Sequence, residues 1–227
     1  MRLTLRFHHT FGEERAHIGG PLAGPDAWDR LRLETSGDFG LPESQSAYAS
    51  AATRPDLVSR ANEINKLLDR AGVTHLASYG VGSAMLEMNM LHGSPDRSLT
   101  LTEFAPGTVE RLQRIFSIGS VINHDLTNDP PATADLHMFH RIDTELDDEA
   151  WKSVFARFNK ERILVVATQT IDLRALAVEV RNRLRFGRST WAGWTRTKGS
   201  FEALWEQTHV HEHCVLGGLQ AWMLQPA

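Results

Sequence analysis

The stretch HLASYGVGSAML carries Gly80 and Gly82 one residue apart, directly after an apolar run. Glycine there lets a turn pass close to a ligand with no Cβ in the way, and the N–H groups that open the following helix can meet a nucleotide. Glu103 ends the next apolar run, SLTLTE, 23 positions after Gly80 (103 minus 80). An acid at that place can accept both hydroxyl hydrogens of a ribose, as in dinucleotide-binding sites. Asp125 ends a third apolar run, in INHDL, where an acid can receive the exocyclic amine of an adenine. A glycine turn and two strand-end acids, in this order, point to a nucleoside site.

Such a site requires strands that end side by side. From Pro55 the chain is regular: RPDLVSRANEINKLLDRAGV spaces Leu57, Val58, Ala61, Ile64, Leu67 and Leu68 as one face of a helix, with Asp56 near its start and Gly72 just past its end. Apolar runs at THLASY, SLTLTEF, SVINHD, ADLHMFH and RILVVAT alternate with helical segments such as PGTVERLQRIF and DDEAWKSVFARF. That alternation predicts an α/β fold, a largely parallel sheet covered on both faces. HVHEHCVLGGLQAWML, centred on Gly217 and Gly218, predicts a closing antiparallel hairpin. Before Pro55 the pattern changes. RLTLRFH places Leu3, Leu5 and Phe7 on one side, RLRLE at 30–34 repeats the alternation, and the two are expected to pair as a small β-ribbon. The chain therefore divides into an N-terminal extension, 1–54, serving as ribbon, lid or homodimer contact, and a main domain, 55–227.

From about Pro55 to Ala227 these motifs resemble the class I (Rossmann-like) S-adenosylmethionine-dependent methyltransferases. The resemblance implies a seven-stranded, mostly parallel sheet with a terminal antiparallel hairpin and helices on both faces, and S-adenosylmethionine as cofactor. Ser78, Gly80, Gly82 and Ala84 occupy the defining places of the family's Asp-x-Gly-x-Gly-x-Gly motif, with no acid at 78 and alanine for the last glycine. The resemblance puts Ser78, Tyr79, Gly80 and Gly82 against the cofactor, Glu103 on its ribose, Phe104 on the adenine face, and Asp125 with Leu126 at the adenine edge. A nicotinamide site would instead need its third small residue at 85, where the chain has Met85. The family's fourth motif starts at Asp135 in ADLHMFHRIDTEL and lacks the Asn/Asp-Pro-Pro-Tyr/Phe sequence of enzymes that methylate amide or nucleobase nitrogens.

Methyl transfer from a sulfonium is an in-line displacement, so placing the acceptor supplies much of the acceleration, and a base is needed only where the acceptor loses a proton. In FHRIDTELDDEAW, His140 is the expected general base and Asp143 its orienting partner or a contact to a substrate amine, while Asp147 and Asp148 read as cap and first-turn acids of the next helix. Residues 181–200 contain no acid and interleave arginines with Trp191 and Trp194. Trp191, Trp194 and Arg196, with Tyr48 from the extension, are the expected acceptor contacts.

With 227 residues, 41% of them hydrophobic, the chain can bury one full core. Its formal net charge of -4 argues against general binding to nucleic acid or anionic membrane. The lone Cys214 cannot form an internal disulfide, and no signal-like or membrane-spanning apolar stretch is present, so the expectation is a cytoplasmic protein with a small-molecule substrate. His209, His211 and His213 share one face of a strand, but adjacent same-face positions lie about 7 Å apart, so no metal site is expected there. The function implied is methyl transfer to an oxygen or nitrogen of a small molecule. The rivals are an RNA or protein methyltransferase, supported by the basic segment alone, and a non-catalytic cofactor-binding subunit, suggested by Ser78.

Overall fold

The computed structural model describes residues 2–7, 24–34, 40–116, 120–186 and 193–227. Among the described residues, three helices precede the central sheet: α1 (Pro25–Glu34), α2 (Gln45–Ala52) and α3 (Pro55–Arg70). In α3, Pro55 sits at the helix start, where a missing N–H costs nothing, and Ala61, Ile64, Asn65 and Leu68 turn inward at three- and four-residue spacing. Strand and helix then alternate through β2 (His75–Tyr79), α4 (Met85–Gly93), β3 (Ser98–Glu103), α5 (Pro106–Ile115), β4 (Ser120–Asn123), β5 (Leu136–His140), α6 (Asp148–Arg157), β6 (Ile163–Val166) and α7 (Leu173–Phe186). After β7 (Gly193–Arg196) and α8 (Lys198–Glu202), the hairpin of β8 (His209–Leu216) and β9 (Leu219–Pro226) closes the sheet.

The seven strands lie in the order β4-β3-β2-β5-β6-β9-β8. Strands β2 to β6 pair in parallel, and β9 runs antiparallel between β6 and β8. This is the α/β architecture, with its terminal reversed hairpin, that the sequence predicts. Side chains alternate strictly across it. Leu76, Met138 and Leu164 pack into a core with Ile64, Leu68 and Leu112, whereas Tyr79, Phe139 and Val165 face an aromatic core of Trp151, Phe155, Phe158 and Trp205. Because the strand order reverses between β2 and β5, a crevice opens at their carboxyl ends.

The residues ahead of Pro55 correct one expectation. β1 (Thr4–Phe7) does form a two-stranded ribbon, but its partner is β7, with Thr4 opposite Arg196, rather than residues 30–34. Those residues are the last half of α1. Five alternating residues are too few to separate a strand from a helix, and Pro25 and Asp26 supply a helix start that outweighs them.

Asp147 caps α6 as expected, its side chain accepting the Ala150 N–H at 2.8 Å. The three histidines of β8 each find a separate partner: His209 meets the Glu161 carbonyl, His211 the Glu202 carboxylate and His213 the Gln220 amide. No helix among the described residues is long and apolar enough to cross a membrane.

Candidate functional site

The turn after β2 is built on left-handed backbone. Gly80 and Gly82 have φ of 61° and 55°, and Ala84, at the third place of the motif, also holds φ 51° despite carrying a side chain. A Cβ on Gly80 would lie 2.8 Å from Cγ2 of Ile142. One on Gly82 would lie 2.6 Å from Nη2 of Arg32. A side chain at Gly80 would press into Ile142, and one at Gly82 would displace the Arg32 guanidinium as well as strain the backbone. From behind, Tyr48 props the turn, its hydroxyl donating to the Ser83 carbonyl at 2.8 Å. Ser78 is fully buried beneath it and donates to Oε1 of Glu87 at 2.8 Å. Burial pushes the Glu87 carboxyl up to about 7. The acid missing at 78 thus has a counterpart one element later, but it is sealed in the core.

The crevice above this turn is a cavity of about 330 Å³. Gly80 forms its floor, and Glu103 and Phe104 at the end of β3 form one side with Asp125 and Leu126 after β4. Glu103, 6% exposed, is held by backbone: Oε2 accepts the Gly82 N–H at 2.9 Å, and Oε1 accepts those of Phe104 and Ala105 at 2.9 and 3.3 Å. This carboxylate ties the glycine turn to the start of α5. Asp125 is set by its own turn. Burial would raise its pKa, but the hydroxyl and N–H of Thr127 and the Asn128 amide outweigh this and hold it below the usual carboxylate range. His124, also in the wall, approaches the Pro130 carbonyl through Nε2 at 2.9 Å. A carbonyl only accepts, so Nε2 carries the hydrogen, and the buried Nδ1 is left as an acceptor without a partner among the described residues.

The opposite side comes from two places that the sequence does not announce. The loop after β5 contributes Ile142, Glu145 and Leu146. Burial pushes the Glu145 carboxyl up to about 7, against the hydroxyl of Thr144, which donates to it at 3.0 Å. The second contribution is α1, through Trp28 and Arg32. The Arg32 guanidinium lies 5.5 Å from the Trp28 ring centroid. Burial lowers its pKa, and the charges of Glu103 and then Glu145 oppose that shift.

Helix α1 is fixed in place by a cap given to another helix. α5 has Ala105 at its N-cap, with no side chain to accept its first N–H groups. Asp29 of α1 supplies what is missing: Oδ2 accepts from Gly107 N at 2.8 Å, and Oδ1 accepts from Thr108 N at 2.6 Å and its hydroxyl at 2.8 Å. Arg32 is three residues further along the same helix, and Leu41 N donates to its carbonyl at 2.7 Å.

Of the residues expected from sequence, Gly80, Glu103, Phe104, Asp125 and Leu126 meet at this cavity. Several others do not line it, each for a physical reason. Tyr79 points to the aromatic core, the face that alternation along β2 gives it, and approaches Nδ1 of His137 at 3.0 Å. Ser78 and Tyr48 stand behind the turn. His140 has its Nε2 buried without a partner among the described residues, and burial, then Arg60 and Arg141, pull the ring down to about 3. Asp143 is buried and accepts from the Thr168 N–H and hydroxyl, both at 2.7 Å, and burial raises its pKa. Arg196 is 0% exposed and binds Asp148 Oδ1 at 2.8 Å and the carbonyls of Asp143 and Leu146 at 2.6 and 2.7 Å, a clamp inside the core. Trp194 lies in β7 beneath the Arg6 guanidinium, 5.4 Å from its ring centroid. Trp191 lies outside the described residues. Sequence reasoning missed Trp28, Arg32, His124 and Glu145. For α1 the usable signal was the Pro25-Asp26 helix start. The acid Glu145 is hidden among the helix-capping acids that follow it.

By sequence, the chain matches no protein-family model and no curated protein. Solved structures do match. Human N-acetylserotonin methyltransferase in complex with SAM is 17% identical, with a TM-score of 0.60 over 94% of this chain and 70% of that one. The mitomycin 7-O-methyltransferase MmcR is 18% identical, with a TM-score of 0.58 over 94% and 72%. TnmH is 16% identical, with a TM-score of 0.61 over 80% of this chain and 57% of its own length. The chain therefore spans little more than half of TnmH and about seven-tenths of the other two. With the strand order, the reversed hairpin and the crevice at the point where strand order reverses, these likenesses establish that the chain has the class I S-adenosylmethionine-dependent methyltransferase fold.

Proposed function

We propose that the protein is an S-adenosylmethionine-dependent methyltransferase acting on an oxygen or nitrogen of a small molecule. One observation carries the reading: Glu103, at the end of β3, and Asp125, just past the end of the adjacent parallel strand β4, face one cavity together with Gly80 of the glycine turn. The residues present fit an adenosine group. Glu103, whose oxygens also accept three backbone N–H groups, would accept from ribose hydroxyls, Phe104 and Leu126 offer apolar surface to the base, and Asp125 and the His124 Nδ1, which has no partner among the described residues, offer acceptors to its amine. The cofactor, when bound, supplies an electrophilic methyl group on a sulfonium. The chain holds the reactants in line in a small cavity, near the lower end of the roughly 300–1,000 Å³ usual for ligand pockets. An imidazole held near 3 takes up no proton at neutral pH, and the Asp143 carboxyl is engaged with Thr168, so acceleration by positioning is favoured over general-base catalysis by His140. The names of the structural neighbours, an N-acetylserotonin methyltransferase and a mitomycin 7-O-methyltransferase, support a small-molecule acceptor.

Calorimetric titration with S-adenosylmethionine and S-adenosylhomocysteine tests the reading. Glu103→Ala removes the ribose acceptor and leaves three N–H groups to find other partners. It is expected to weaken both ligands about 100-fold, roughly 3 kcal/mol. No binding of either ligand to the unaltered protein at millimolar concentration would overturn the proposal.

A further inference from the structure

The motif's missing acid poses a question of its own. In this fold the cofactor's methionine portion ends in an ammonium and a carboxylate, and Ser78, buried against Glu87, can reach neither. On the open side of the turn the chain presents a different set of charges. Arg32 packs onto bare Gly82, so close that a Cβ there would lie 2.6 Å from its Nη2, and Glu145 shares the same cavity wall. Arg32 is within electrostatic reach of both Glu103 and Glu145. We infer that Arg32 and Glu145 together recognise the zwitterionic amino-acid end of the cofactor, the guanidinium taking the carboxylate and the Glu145 carboxylate taking the ammonium. The inference rests on the methyltransferase reading and assigns the part of the ligand that the glycine motif leaves unassigned.

The chemistry of the pair suits a zwitterion better than a simple ion. A guanidinium offers five N–H donors in a planar fork matched to a carboxylate, and Arg32 holds that fork on the same wall as Glu145. Arg32 supplies a positive charge and Glu145 a carboxyl on one wall, so each end of a zwitterion meets an opposite partner. A ligand with both charges a few ångströms apart satisfies both. Glu145 also has a reason to respond. Burial holds its carboxyl near 7, and an arriving ammonium favours the ionised form, so ligand binding at neutral pH should expel a proton. Arg32 belongs to α1, which Asp29 pins onto α5, so the N-terminal extension would read the amino-acid end while the strand ends read the nucleoside.

The test compares two probes by calorimetry: S-adenosylhomocysteine, and 5′-methylthioadenosine, which keeps the nucleoside and thioether but lacks the amino-acid end. The unaltered protein should bind S-adenosylhomocysteine more tightly. Arg32→Leu should weaken that ligand at least tenfold and leave 5′-methylthioadenosine within about twofold, and Arg32→Lys, which keeps the charge, should recover part of the loss. In buffers of different ionisation heat at pH 7, binding of S-adenosylhomocysteine should release protons, and Glu145→Gln should abolish that release. Equal binding of the two probes by the unaltered protein, an unchanged S-adenosylhomocysteine affinity in Arg32→Leu, or equal loss of both probes in both Arg32 variants would overturn the inference alone. Binding of neither probe by the unaltered protein would overturn the methyltransferase reading with it.

Discussion

Arg32 and Arg196 are both deeply placed arginines, and they illustrate two ways of using the same side chain. Arg196 lies where the β1–β7 ribbon meets the loop after β5, and its guanidinium donates to the Asp148 carboxylate at the start of α6 and to two backbone carbonyls of that loop. Its polar atoms are consumed by structure. Arg32 lies on a cavity wall between two acids and against a glycine, where its partners can be exchanged for those of a ligand. From the sequence Arg196 looked the more functional, because basic residues and tryptophans surround it. The lesson is that local composition reports how many cations a segment has, while their use depends on which side of the wall they emerge.

The largest expected effect separates these two uses. Arg196→Leu strands Asp148 and two carbonyls in or beside the core and should cost about 4 kcal/mol of unfolding free energy. Measured by urea denaturation, that loss should come with S-adenosylhomocysteine affinity unchanged wherever the variant remains folded. A variant of normal stability with weakened ligand binding would return Arg196 to the cavity.

The glycine turn has a buried acid beneath it and a partly buried one above it, which allows a second test. The Glu87 carboxyl rises from 4.5 to about 7 on folding, so between those values the native state holds a proton that the unfolded chain has lost. Its contribution is complete below about 4.5 and disappears as pH climbs to about 7, a difference of about 3 kcal/mol. Glu87→Gln keeps a partner for the Ser78 hydroxyl without the charge. It should be more stable than the parent at pH 8 by about that amount, and the two should converge near pH 4. Parallel stability curves for parent and variant across pH 4–8 would show that Glu87 titrates normally. Glu145 shares the upward shift, and its window should move only when S-adenosylhomocysteine is present.

How much of this could be read beforehand follows from the same contrast. The strand-end wall was legible because period-two apolar runs locate strand ends, and Glu103 at the end of β3 and Asp125 just past β4 line the crevice that a parallel sheet opens there. The glycines were legible because left-handed backbone has few alternatives, although Ala84 adopts it as well. The helical wall was not. RLRLE alternates like a strand, and what docks it as a helix is Asp29 bonding to Gly107 and Thr108, a contact 78 residues away in the chain that no local pattern encodes. His140 and Asp143 do not line this cavity, for the complementary reason. A loop's position was right, but which of its side chains face inward depends on the turn that follows β5, and there Ile142 and Glu145 take the cavity side.

That non-local contact also supplies the smallest expected effect and the sharpest division of the two walls. Asp29→Ala removes the one side chain among the described residues that accepts from the first N–H groups of α5, because Ala105 cannot. An N-cap loss of this kind costs about 1 kcal/mol. Stability should therefore fall only slightly in urea denaturation. The ligand response should be uneven, because Glu103 is held by the glycine turn and by residues 104 and 105, whereas Arg32 depends on where α1 sits. Binding of 5′-methylthioadenosine should be nearly unaffected, while S-adenosylhomocysteine should lose several-fold in affinity, a weaker copy of the Arg32→Leu result. If both ligands weaken together, the cap on α5 supports the nucleoside wall as well, and the two walls act as one unit. If neither changes, α1 keeps its place without Asp29, and the stacking of Trp28 and Arg32 with the Leu41 bond to the Arg32 carbonyl is enough to hold it.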